Sequence, residues 1–200
     1  MKRAILLLLC ISSMYAFSQE SQEPTNHKIG VELHIGKIFS PYRFYKNHQG
    51  YEHLSLGLTK NITGQFGVLF SQSYGRLFSE RTNNRTIVTT TIIAPYVLFF
   101  PEKKTNLRIS LGTGLLHLHS KCLYDIYPVS EHIYGMPIDG EVAIFYKLSN
   151  NLSVNVNLDA HYGFLFNGDY QLLIDDPYYY KTFFYSTNIG IRYTFGKKSE

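Results

Sequence analysis

The chain has 200 residues, of which 44% are hydrophobic, 16% aromatic and only 17% charged, with a formal net charge of +4. That length suits a single domain, and the longest near-pure apolar run, residues 4–11, falls far short of the roughly 20 residues a spanning helix requires, which excludes a bundle of membrane helices. Much of the small positive excess sits in the first three residues, so nucleic acid is not an expected partner.

Lys2 and Arg3 precede the apolar run, and Ala16-Phe17-Ser18 sets small residues at −3 and −1 of a cleavage site. Basic, apolar and small-residue regions in that order read as a secretory signal. Residues 1–18 are therefore expected to be the signal peptide and residues 19–200 the mature domain. Cys10 lies too early for a lipoprotein cysteine. Cys122, assigned to a polar loop, would then be the sole thiol, which precludes an intramolecular disulfide.

Beyond the signal, hydrophobicity repeats every two residues, the period of strands rather than helices. The first predicted strand, residues 28–39, sets Ile29, Val31, Leu33 and Ile35 against Gly30, Glu32, His34 and Gly36. The second, 51–60, opposes Leu54, Leu56 and Leu58 to His53, Ser55, Gly57 and Thr59. The third, 62–74, opposes Phe66, Val68 and Phe70 to Gln65, Gly67 and Ser71. The fourth, 86–100, is expected to present Ile92, Ala94, Tyr96, Leu98 and Phe100 as its apolar face, with a bulge near Pro95, which cannot donate to a ladder. The fifth, 107–119, sets Leu107, Ile109, Leu111 and Leu115 against Arg108, Ser110, Gly112 and Gly114. The sixth, 137–148, sets Ile138, Val142, Ile144, Tyr146 and Leu148 against Asp139, Glu141, Ala143 and Lys147. In the seventh, 152–166, the even positions from Leu152 to Phe166 are apolar, while Ser153, Asn155, Asn157, Asp159, His161 and Gly163 alternate with them. The eighth, 183–195, sets Tyr185, Ile189, Ile191, Tyr193 and Phe195 against Asn188, Gly190, Arg192 and Thr194.

Short gaps (60–61, 101–106, 149–151) alternate with long ones (40–50, 75–85, 120–136, 167–182), which describes an up-and-down antiparallel meander. An eight-stranded sheet with one apolar face closes into a barrel, because an open edge in lipid leaves backbone groups unpaired. Period two does not say which face points outward, and a lipocalin-like binder would be apolar inside. Strand length, aromatics near both strand ends and balanced charge on the polar face favour apolar residues outside, in lipid. The inward phase then carries Glu32, Glu141 and Asp159 with Arg108, Lys147 and Arg192, which are expected to form a structural charge network plugging the lumen, since unpaired ions there are costly.

Together with the signal, the alternating runs and the short and long gaps, the closing run Asn188-Ile189-Gly190-Ile191-Arg192-Tyr193-Thr194-Phe195 resembles the small outer-membrane β-barrel proteins of Gram-negative bacteria. The turn around Leu58-Thr59-Lys60-Asn61 resembles their Bacteroidetes members. The resemblance covers the whole mature chain. It implies an all-β, eight-stranded transmembrane barrel in the outer membrane, with outer-membrane lipid as its surroundings. Ile189, Ile191, Tyr193 and Phe195 match the signal read by the barrel-assembly machinery in that family, although here Phe195 is followed by five more residues. The expected role is non-enzymatic: envelope structure, or interaction with an extracellular ligand through the loops. The alternatives are a narrow channel for small solutes and a lipid-modifying barrel enzyme.

No cofactor or metal is expected. His117 and His119 share a face, but no carboxylate or Cys neighbours them in sequence register. His117-Leu118-His119-Ser120 lacks the His-x-Ser arrangement of barrel-type lipid A deacylases. Asp159 and His161, with His34, His53, Glu32 and Glu141, are read as a hydrogen-bonded plug rather than a proton-linked site. Asp169, Asp175 and Asp176 lack calcium-loop spacing. Gly112-Thr113-Gly114 precedes no helix and is no phosphate loop. The glycosylation triplets at Asn61, Asn84 and Asn151 are read as turn residues, and Asp176, Pro177 and Tyr178-Tyr179-Tyr180 form a loop rich in contact-prone residue types.

Overall fold

The computed structural model describes residues 28–40, 48–79, 84–122, 129–166 and 181–195. These contain eight strands: β1 (Ile29–Phe39), β2 (His48–Asn61), β3 (Phe66–Ser79), β4 (Asn84–Phe99), β5 (Thr105–Cys122), β6 (Val129–Lys147), β7 (Leu152–Leu165) and β8 (Lys181–Phe195). Each pairs antiparallel with its sequence neighbour, and β8 returns to β1 from Ile29↔Phe195 to Phe39↔Tyr185, closing the barrel. Closure leaves no unpaired sheet edge. The signal peptide, Asp169, Asp175, Asp176, Pro177 and Tyr178–Tyr180 lie outside the described residues.

The apolar phase faces outward. Ile35, Leu56, Leu115, Ile144, Val156, Leu158, Ile189 and Ile191 are exposed, while Glu32, His34, Arg108, Glu141, Asn157, Asp159 and Arg192 are buried. An exposed apolar girdle around a polar interior is the reverse of a water-soluble barrel and fits a surface covered by lipid.

Several expectations require correction. The turn expected at 60–61 lies at 62–65, since β2 runs through Asn61 and β3 starts at Phe66. β4 has the opposite phase: Ile92, Ala94, Tyr96 and Leu98 are buried inside, and Ile93, Pro95 and Phe99 are exposed. Residues directly opposite in an antiparallel ladder share a face, and pairing Phe70↔Ile93 and Ile109↔Val97 aligns β4 with its neighbours' lipid-facing rows. Phe100 is not part of that strand but starts the turn, with φ 57°. No bulge accompanies Pro95, whose register runs unbroken from Phe66↔Val97 to Ser79↔Asn84; the ladder shifts instead between Gly50 and His53 on β2. Finally, the strands extend well into the predicted long gaps. β6 starts at Val129 and β5 ends at Cys122, so only residues 123–128 join them, and residues 80–83 join β3 to β4. Cys122 thus ends a strand rather than lying in a loop.

The interior is not uniformly polar. Ile38, Leu77, Val88, Leu116, Leu118, Ile133 and Phe184 form one buried apolar cluster toward the long-loop end, and Leu69, Ile92, Ala94, Tyr96 and Leu98 form a second on β3 and β4. An eight-stranded barrel is just wide enough for side chains to fill its interior.

Candidate functional site: the charged lumen

Alternation places the ionisable residues on the inner wall, and the long arm of Arg108 brings them together. Arg108 on β5 lies across the barrel from Glu32 on β1, four strands away in either direction around the ring. Its Nη1 and Nη2 donate to Glu32 Oε1 and Oε2 at 2.5 and 2.8 Å, a bidentate pair spanning the lumen. Its Nε also donates to Glu141 Oε1 at 2.8 Å. Arg108 and Glu32 are both fully buried. Such a pair persists only when geometry and further hydrogen bonds offset the desolvation of both ions.

Aromatic side chains supply part of that offset. The guanidinium of Arg108 lies 4.9 Å from the Phe145 ring centroid and 5.5 Å from that of Tyr96, and Arg192 lies 5.3 Å from Phe145. Tyr96 donates its hydroxyl hydrogen to Asn61 Oδ1. Arg192 Nε is 3.4 Å from Glu32 Oε1, and its Nη2 donates to Thr59 Oγ1 at 3.2 Å. Glu32 therefore faces both buried guanidinium groups.

Further along the wall, Asp159 Oδ2 accepts from Ser186 Oγ at 2.7 Å and from Asn188 Nδ2 at 2.8 Å. Asn188 Oδ1 lies 2.7 Å from His53 Nδ1. His161 Nδ1 is 2.6 Å from Asp139 Oδ1, and His34 Nε2 is 3.0 Å from Asn155 Nδ2 and 3.5 Å from Glu32 Oε2. Glu141 and Asp159 face one another directly in the β6–β7 register.

The six residues expected in the charge network thus separate. Glu32, Arg108, Glu141 and Arg192 converge. Asp159 is inward and buried but takes neutral donors from Ser186 and Asn188. Lys147 stands apart: it is half-buried at the short-turn end, and its ammonium donates to the Pro101 carbonyl. The correction for Lys147 is one of depth, which inward phase does not specify. Ile189, Ile191, Tyr193 and Phe195 line the exposed face of β8. Phe145 and Tyr96 were not anticipated as lumen residues. Phe145 shares the phase of Glu141, a signal available in the sequence; Tyr96 was hidden by the misassigned phase of β4.

No protein-family model and no curated protein matches this sequence. Solved structures do resemble it. A major outer membrane protein from Thermus thermophilus superposes with a TM-score of 0.59 at 13% identity, covering 84% of this chain and 99% of that one. Ail, the attachment invasion locus protein of Yersinia pestis, gives 0.53 at 12%, covering 86% and 100%. The N-terminal β-barrel domain of Pseudomonas aeruginosa OprF gives 0.52 at 13%, also covering 86% and 100%. At such identities the likeness concerns the fold, and the fold is the closed, eight-stranded antiparallel β-barrel of small outer-membrane proteins.

Proposed function

We propose that this chain resides in the outer membrane as a sealed, non-catalytic barrel, serving envelope structure or loop-mediated interaction rather than transport. The observation that carries this reading is the Arg108–Glu32 pair spanning the lumen between β1 and β5. The apolar cluster around Leu116, Leu118 and Phe184 supports it by filling the same interior toward the long loops. A water column must bypass both layers, and apolar constrictions disfavour wetting. The exposed girdle supports outer-membrane lipid as the surroundings. Ile189, Ile191, Tyr193 and Phe195 are the residues we assign to recognition by the barrel-assembly machinery, and the Leu58-Thr59-Lys60-Asn61 run, which ends β2, supports a Bacteroidetes-like relative. An extracellular ligand, on this reading, binds the loops and not the lumen.

The test is conductance in planar lipid bilayers. Purified, folded protein should give no stable steps above baseline. Long-lived open steps in the unmodified protein would overturn the sealed lumen and establish the channel alternative.

A further inference from the structure

Toward the long-loop end of β5 and β6, strand pairing brings His132 beside His117 and His119. His117 and His119 occupy successive outward positions on β5, above the strongly exposed Leu115. The register sets His119 opposite His132 and His117 opposite Tyr134. His117 Nε2 and His132 Nδ1 lie 3.0 Å apart, and the rings of His119 and His132 stack with centroids 4.2 Å apart. His119 Nε2 is turned toward Ser130 Oγ at 2.8 Å.

We propose that His117 and His132 form a binding site for a divalent transition-metal ion, Cu²⁺ being the best-matched, with His119 as the third ligand. Two nitrogens about 2.0–2.1 Å from one ion and at right angles to each other lie about 2.9 Å apart, and the observed pair stands at 3.0 Å. In the metal-free chain that contact is a hydrogen bond between the two rings; an ion replaces its proton, and the two nitrogens are already near the separation of adjacent corners in a square-planar or tetragonal site, the arrangement Cu²⁺ favours with nitrogen ligands. Among the described residues no three such side chains converge on one point as they stand. A third nitrogen therefore requires His119 to give up its contact with Ser130 Oγ and turn toward the pair, with water completing the set. The ligand chemistry excludes calcium and magnesium, which take oxygen donors. Lys121, the next outward residue on β5, faces Ser130 and adds no ligand; its charge lowers affinity without altering the donor set.

The site is built by register, not by a sequence motif. The sequence shows His-x-His on one strand, and the partner strand supplies His132 on the same face. It opens to the exterior of the barrel, so occupancy does not require passage through the lumen.

The test is Cu²⁺ titration of the full folded chain in detergent, read by electron paramagnetic resonance and calorimetry. One saturable site with coupling to two or three nitrogens is expected. His132→Gln keeps a polar side chain of similar reach but removes the ligand, and should weaken binding by at least the roughly tenfold that loss of even a supporting partner costs. His48→Ala should leave it unchanged. Folding of each variant is verified by the heat-dependent gel shift of a closed barrel. Absence of saturable uptake by the unmodified protein, or unchanged uptake by a folded His117→Gln/His132→Gln double variant, would overturn the proposal.

Discussion

Arg108 holds Glu32 in a two-pronged grip while its Nε serves Glu141, so one guanidinium satisfies oxygens of two buried carboxylates. Its removal strands both acids in a poorly solvated interior, the circumstance in which breaking a buried ion pair costs about 3–5 kcal/mol. Arg108→Ala should lower the unfolding free energy in lipid vesicles by about that much. Arg108→Lys should recover part of it, because a point charge keeps the attraction but loses the fork. Asn157→Ala should be mild, since Asn157 Oδ1 is buried without a partner. Equal losses in Arg108→Ala and Asn157→Ala, measured as urea midpoints, would refute the central role of the guanidinium. The sequence was informative at this scale about direction: Glu32, Arg108, Glu141, Asp159 and Arg192 all point inward as their phase requires. It did not specify reach. Lys147 has the same phase yet bonds Pro101, because partner choice depends on depth and on side chains of distant strands.

β4 shows what decides the orientation of a strand whose two faces are both apolar. Ile92-Ile93-Ala94-Pro95-Tyr96-Val97-Leu98-Phe99 carries almost no period-two contrast, so its own residues leave the phase open. The ladders resolve it: Phe70 on β3 and Ile109 on β5 are lipid-facing and draw Ile93 and Val97 to their side. Inside, Ile92, Ala94 and Leu98 pack with Leu69. In a Cys122→Ser background, a spin label at Ile93→Cys should relax strongly with dissolved oxygen, which concentrates in lipid, whereas one at Ile92→Cys should be shielded. The reverse pattern would restore the phase expected from sequence. Glycine placement follows similar neighbour control. A Cβ on Gly190 would lie 2.1 Å from His34 Cδ2 and 2.6 Å from Asn155 Oδ1, while one on Gly140 meets nothing within 4 Å. Gly190→Ala should therefore destabilise the barrel by about 1–3 kcal/mol through overpacking, and Gly140→Ala should not. Matching urea midpoints for the two variants would contradict that packing.

For the whole molecule, closure makes the outer face a continuous apolar girdle and the inner face a filled core. Leu158 is 51% exposed on the girdle, and a cation there would sit in hydrocarbon. Leu158→Arg should cost about 2–4 kcal/mol in a bilayer. Tolerance of this substitution at the level of an inner-wall alanine would show that lipid does not cover that face. This is a test of the inside–outside assignment, independent of how the lumen is filled.

The all-β class, eight strands, antiparallel meander and outward apolar phase of seven strands were legible in the chain alone. The strands rest on local alternation, which each encodes through the opposite faces of successive side chains; the outward direction rests on strand length, aromatics near the strand ends and the balanced charge of the polar phase. The phase of β4, the continuation of β5 and β6 into a longer hairpin, the apolar clusters within the lumen, the Arg108–Glu32 contact and the meeting of His132 with His119 were decided only by tertiary structure. Each depends on register and curvature, which bring residues as far apart as Glu32 and Arg108 into contact, and no local period records which residue a closed sheet will set across from another.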